Sequence, residues 1–97
     1  MVLRISGKNV DIGQALRSRI DETVSTIIQK YFDRGSSGHV TVSRSGNAFE
    51  TEVALHLDTG MVFEASGFDS DAHLSFDQAA ERLDKQLRRY KRRLKDH

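Results

Sequence analysis

A chain of 97 residues suffices for one domain, residues 1–97, with a single modest core. It has no cysteine, which excludes disulfides and thiolate metal sites and fits a reducing cytoplasm; no segment approaches the roughly 20 apolar residues that cross a bilayer, and the start, MVLRISGKNVDIG, lacks a signal-peptide core. The formal net charge of +1 conceals an asymmetry: residues 85–97 carry seven basic side chains and one acidic, or +6, while residues 1–84 carry eight basic and thirteen acidic, or −5. A basic end of this strength points to an anionic partner.

Val2 to Ser6 alternates, with Leu3 and Ile5 on one side, and predicts a short strand. Gly7-Lys8-Asn9 reads as a turn. Ile12 to Phe32 has helical spacing, with Leu16, Ile20, Val24, Ile27 and Tyr31 on one face. Asp11 or Gly13 is positioned to cap its start, and Arg34-Gly35-Ser36-Ser37-Gly38 reads as its stop. Three strands are then expected. His39 to Ser43 alternates on Val40 and Val42, and Ser45-Gly46-Asn47 marks a hairpin turn. Phe49 to Leu57 places Thr51, Val53, Leu55 and Leu57 on one side and Glu50, Glu52 and His56 on the other. After a turn at Asp58-Thr59-Gly60, Met61, Phe63 and Ala65 form an inner face, with Val62, Glu64 and Ser66 outward. One polar face per strand predicts a sheet covered on one side only.

The last element is the longest. From about Asp71 to Lys95, Phe76, Ala79, Ala80, Leu83, Leu87, Tyr90 and Leu94 form one apolar stripe. Arg82, Lys85, Arg89, Arg92 and Arg93 fall opposite it, and Arg88, Lys91 and Lys95 nearer its flank. The expected fold class is α+β: β-α-β-β-β-α, a four-stranded, mostly antiparallel sheet with two helices packed on one face.

The basic helix carries the functional signal. Arginine and lysine neutralise phosphates and release counterions, and arginine adds bidentate geometry. A solvated helix end favoured by the macrodipole accounts for two or three cations. It accounts poorly for seven in eleven residues, because like charges four apart, such as Lys85 with Arg89, repel. Other signals are weak. Gly35-Ser36-Ser37-Gly38 matches a KH-type GXXG loop on paper, but here it joins a helix to a strand. The strands lack paired stacking aromatics, so Phe49, Phe63 and Phe68 read as core or loop packing. His39, His56, His73 and His97 are scattered. Asp69, Asp71 and His73 match no strong metal spacing and read better as a helix cap, with Ser70 or Asp71 bonding free amides. Glu50, Glu52 and Glu64 read as a solvated sheet face.

Two stretches resemble the ribosome hibernation-promoting factor family, also called ribosomal subunit interface proteins. One is Ile5-Ser6-Gly7-Lys8-Asn9-Val10-Asp11-Ile12, with Ala15-Leu16-Arg17 and Lys30-Tyr31-Phe32-Asp33-Arg34 after it. The other is Phe76-Asp77-Gln78-Ala79-Ala80, followed by Arg82 to Lys91 and on to His97. The resemblance covers essentially the whole chain and implies the same β-α-β-β-β-α fold. It implies a cytoplasmic protein that lodges in the small ribosomal subunit, where messenger RNA and the A- and P-site tRNAs lie, and silences idle ribosomes. It implies no enzymatic activity, cofactor, metal, membrane or small-molecule substrate, and leaves ribosome dimers open. Mapped onto this chain, the rRNA-binding set is Arg82, Lys85, Arg88, Arg89, Arg92 and Arg93 from the last helix, with Arg19 and Lys30 (and Arg17 beside them) from the first. Where relatives carry further cations on the first helix, this chain has Thr23, Thr26 and Gln29, so the last helix is expected to carry more of the contact. Two further departures are His73, where relatives usually have an aromatic residue, and Ser75. Long members append a dimerisation domain, so the chain reads as a short form or an N-terminal domain. Two alternatives fit the basic helix: a general double-stranded-RNA binder acting away from the ribosome, and a protein module meeting an acidic partner.

Overall fold

The computed structural model describes residues 2–32 and 36–95. The elements are β1 (Val2–Lys8), α1 (Gln14–Tyr31), β2 (Ser36–Ser45), β3 (Ala48–Leu57), β4 (Val62–Asp69) and α2 (Ala72–Lys95). The strands lie in the order β1-β2-β3-β4. β1 runs parallel to β2, as a strand–helix–strand crossover requires, and the two hairpins make the other pairs antiparallel. This is the expected α+β arrangement.

Inward positions of β2, β3 and β4 alternate as the sequence requires. Val40, Val42, Val53, Leu55, Leu57 and Phe63 meet Leu16, Ile20, Val24, Ile27 and Ile28 of α1 and Phe76, Ala79, Ala80, Leu83 and Leu87 of α2 in one contiguous core. The other face of the sheet is open, carrying Glu50, Glu52, His56 and Glu64.

Several boundaries differ from the sequence reading. β1 continues through Gly7 and Lys8, which pair with Val42 and Ser43; the turn falls at Asn9, whose φ of 60° is left-handed. Of the two candidate caps for α1, Gly13 takes the position and offers no side-chain hydrogen bond. Of the expected helix stop, Arg34 and Gly35 lie outside the described residues. Ser36, Ser37 and Gly38 open β2, Ser36 paired with β3 and the other two with β1 as well, because pairing satisfies a strand's backbone whatever its side chains. The Gly46-Asn47 turn is as expected, with Gly46 at φ 62°. Met61 closes the next turn by accepting the Leu57 amide at 2.9 Å and is exposed, not inward. Phe68 is 61% exposed, against its reading as core or loop packing. β4 turns Phe63, Ala65 and Gly67 inward, so Phe68 falls on the open face opposite Glu50.

The start of α2 lies close to the sheet. Asp71 accepts the Leu74 amide at 3.1 Å, which is the expected cap. Ser75 is fully buried. Its hydroxyl donates to the Ala72 carbonyl (2.8 Å) and so accepts from the Thr51 hydroxyl (2.7 Å), satisfying two buried polar groups at once. This accounts for a small polar residue at Ser75; nothing in the structure explains His73, which is exposed.

Candidate nucleic-acid interface

The described length of α2, 24 residues, gives it a span of about 36 Å. Its burial fades toward the end: Leu83 and Leu87 are fully buried, Tyr90 is half-buried and Leu94 is 52% exposed. The basic run therefore overlaps the last buried turn and continues as the helix leaves the core. Cations there complement the negative end of the helix dipole.

The two flanks of α2 do different work. Toward β4, Gln78, Arg82 and Gln86 recur every four residues and meet the free edge of the sheet. The Gln78 side-chain oxygen accepts the Phe68 amide (3.1 Å). Arg82 donates to the Ser66 carbonyl (2.6 Å), and Gln86 donates to the Glu64 carbonyl (2.8 Å). Side chains thus replace the missing fifth strand and protect an edge that would otherwise pair with another chain. Arg82, expected opposite the apolar stripe, is exposed but stands on this flank with one guanidinium nitrogen committed to the sheet.

Toward α1, two ion pairs join the helices. Arg19 grips Asp77 with two nitrogens, at 2.9 and 2.7 Å. Lys30 Nζ lies 2.8 Å from Asp84 Oδ1, and Arg88 lies 3.4 Å from the other oxygen. The partner carboxylate raises the pKa of Arg19 and of Lys30, chiefly by hydrogen bonding. For Asp84, partial burial works to raise the pKa. Hydrogen bonds from Lys30 and Tyr31, with the charges of Lys30 and Arg88, outweigh it and hold the carboxyl below its ordinary value. Beyond these pairs, Lys91 Nζ sits 5.5 Å from the Phe32 ring centroid, and Phe32 and Phe63 both pack against Tyr90.

The lowered Asp84 pKa has a consequence with a definite sign. Its contribution to stability is full above the unfolded carboxyl range and is lost as pH falls below about 4, through the folded value. Asp84→Asn should therefore lower stability at pH 7 by about 1 kcal/mol, discounted because Lys30 and Arg88 are half exposed. The variant should match the parent at pH 2. Thermal melts across that range check both limits.

The eight candidate residues sort into three groups. Arg19, Lys30 and Arg88 hold acidic partners between or along the helices. Lys85 lies 3.5 Å from Glu81, and Arg82 is tied to β4. Arg89, Arg92 and Arg93 have no ion-pair or hydrogen-bond partner among the described residues. Their spacing of three and four puts them on one exposed face in the last turns of α2. The sequence marked the α2 cations by charge density, and Arg19 and Lys30 only through the family resemblance. It did not show the Asp77 and Asp84 pairings, because partners 58 and 54 residues apart leave no mark in a local pattern.

A mixed four-stranded sheet backed by two helices, the second ending in an exposed arginine cluster, defines an α+β domain with one face suited to a polyanion. The chain belongs to the sigma 54 modulation protein / S30EA ribosomal protein family, whose model matches residues 3–95. It is 50% identical over 97 residues to a ribosome hibernation promotion factor of Rhizobium meliloti, covering all of this chain and 51% of that protein. A second, from Bradyrhizobium diazoefficiens, is 50% identical and covered over 47% of its length. The chain thus spans about half the length of these relatives. It is also 30% identical to the ribosome hibernation promoting factor of Escherichia coli, with both chains covered in full. Among solved structures, the N-terminal domain of Thermus thermophilus Protein Y superposes with a TM-score of 0.83 at 24% identity, over 93% of this chain and 99% of that one. At that identity the likeness concerns the fold.

Proposed function

We propose that this protein binds the small ribosomal subunit through rRNA at the messenger channel and the A and P tRNA sites, and so holds idle ribosomes inactive in the cytoplasm. Family membership, with relatives named for ribosome hibernation, supports the ribosome as the partner. The observation that carries the RNA contact is the exposed cluster of Arg89, Arg92 and Arg93, which has no ion-pair or hydrogen-bond partner among the described residues. Packing like charges on one helix face costs stability in isolation, and a polyanion repays it. Lys85, Arg88 and Arg82 extend this surface along α2, with Arg19 and Lys30 at its α1 border. The protein acts by occupying a site, with neither catalysis nor cofactor.

Occupancy makes a competition prediction. Added to a bacterial cell-free system, the protein should inhibit synthesis. Ribosomes preloaded with messenger and initiator tRNA should resist, because the ligands share one channel. Peptide synthesis is followed with and without preloading over a range of protein concentrations. Equal inhibition in both arms would exclude competition for that channel.

A further inference from the structure

Up to Asp84, α2 carries Asp77, Glu81 and Asp84, and residues 85–94 carry no acid at all. The acids are not scattered. Asp77 and Asp84 each take a cation from α1, so both are set in the groove between the helices. The Arg19–Asp77 contact uses two parallel nitrogens on two carboxylate oxygens, the geometry with which arginine also grips a phosphate. Asp84 Oδ1 is buried from solvent, so Lys30 is held by an inward-facing oxygen. These carboxylates occupy one bidentate edge of Arg19 and one contact of Lys30, positions on which an RNA phosphate would compete with them.

Resting on the RNA-binding reading above, we propose that Asp77 and Asp84 are specificity-determining residues. They act as internal phosphate surrogates, closing the α1–α2 groove to arbitrary RNA backbone and leaving the first anion contacts to the exposed cations of α2. A helical pair with every cation free would bind any duplex it met, since phosphate contacts carry no sequence information. With Arg19 and Lys30 occupied, affinity depends on a narrow arginine cluster and therefore on a target whose shape fits it. The carboxylates trade general affinity for selectivity.

The test is Asp77→Asn with Asp84→Asn, compared with Glu50→Gln and Glu52→Gln, which makes the same change in net charge on the open sheet face. Binding is measured to an RNA duplex of arbitrary sequence and to purified small subunits, at several salt concentrations, with melts recorded for each variant. The groove variant should bind the duplex about tenfold more tightly near 0.1 M salt, with a salt slope steeper by about one unit per freed cation. Its affinity for small subunits should rise less, so selectivity falls. Duplex binding that rises no more than in the sheet-face variant would reduce the effect to net charge and overturn the proposal. If the double variant melts early, Asp77→Asn alone carries the test, with a slope steeper by about one unit expected and an unchanged slope overturning it. A parent protein that binds neither RNA nor subunits would instead overturn the reading of function, and this proposal with it.

Discussion

Replacing Arg89, Arg92 and Arg93 with glutamate should abolish cosedimentation with small ribosomal subunits near physiological salt, while the protein stays folded. The three side chains share one exposed face and have no internal partner among the described residues, so their removal leaves no buried charge behind. Reversal leaves three like charges on one face, turns their repulsion from Lys85 and Arg88, four residues before positions 89 and 92, into attraction, and opposes the helix dipole. These small effects largely cancel, and the melting temperature should move by only a few degrees. On the binding side, each lost phosphate contact lowers the salt slope by about one unit, so three contacts lower it by about three. The affinity loss should be at least about a hundredfold at 0.15 M salt. Arg17→Glu with Arg19→Glu reverses two charges on α1 and should cost less, because Arg19 is already engaged by Asp77. Cosedimentation at several salt concentrations compares them. A triple variant that binds like the parent, or an α1 pair that costs more, would move the RNA-facing surface off the end of α2.

The order of elements was legible in the sequence because each periodicity reports a face. Thr51, Val53, Leu55 and Leu57 alternate and are all buried, and the stripe from Phe76 to Leu87 is the buried side of α2. Periodicity identifies which side of an element is covered, not what covers it. Hence β2 read as five residues when it spans ten: its polar ends are strand because β3 pairs with their whole length and β1 with Ser37 and Gly38. Phe68 read as core or loop packing, yet the parity of β4 sets it on the open face. For the interface the same limit holds. The density of charge in residues 85–95 was plain, but the division into open and occupied cations depends on the packing of α1 against α2. Arg82 looks like its neighbours in sequence and differs only because the carbonyl of Ser66 lies beside it.

Gly67 carried no signal in the sequence, and its substitution should have the largest effect on stability of any single methyl addition in the sheet. It pairs with Thr51 on β3 and faces the first turns of α2 at close range. A Cβ there would be driven into the Ser75 carbonyl oxygen. It would also lie 2.7 Å from Gln78 Cβ and 2.8 Å from the Ala79 amide nitrogen. Two of these three atoms are helix backbone, which cannot swing aside as a side-chain tip does. The conflict is therefore steric crowding between elements and owes nothing to the conformation of Gly67 itself. Relief requires lifting the start of α2 off the sheet. That would stretch the Thr51–Ser75 hydroxyl pair and the Gln78 contact to the Phe68 amide. Overpacking of this kind costs on the order of 3 kcal/mol, so Gly67→Ala should lower the melting temperature by more than about 10 °C. Because α2 also positions the arginine cluster, binding to small subunits should weaken even where the variant remains folded. The control is Gly13→Ser, where a Cβ meets nothing within 4 Å and the new hydroxyl can cap α1; a gain of a few tenths of a kcal/mol is expected. Melts of both variants beside the parent decide the matter: a Gly67→Ala protein as stable as the parent would mean that α2 does not pack this closely on β4.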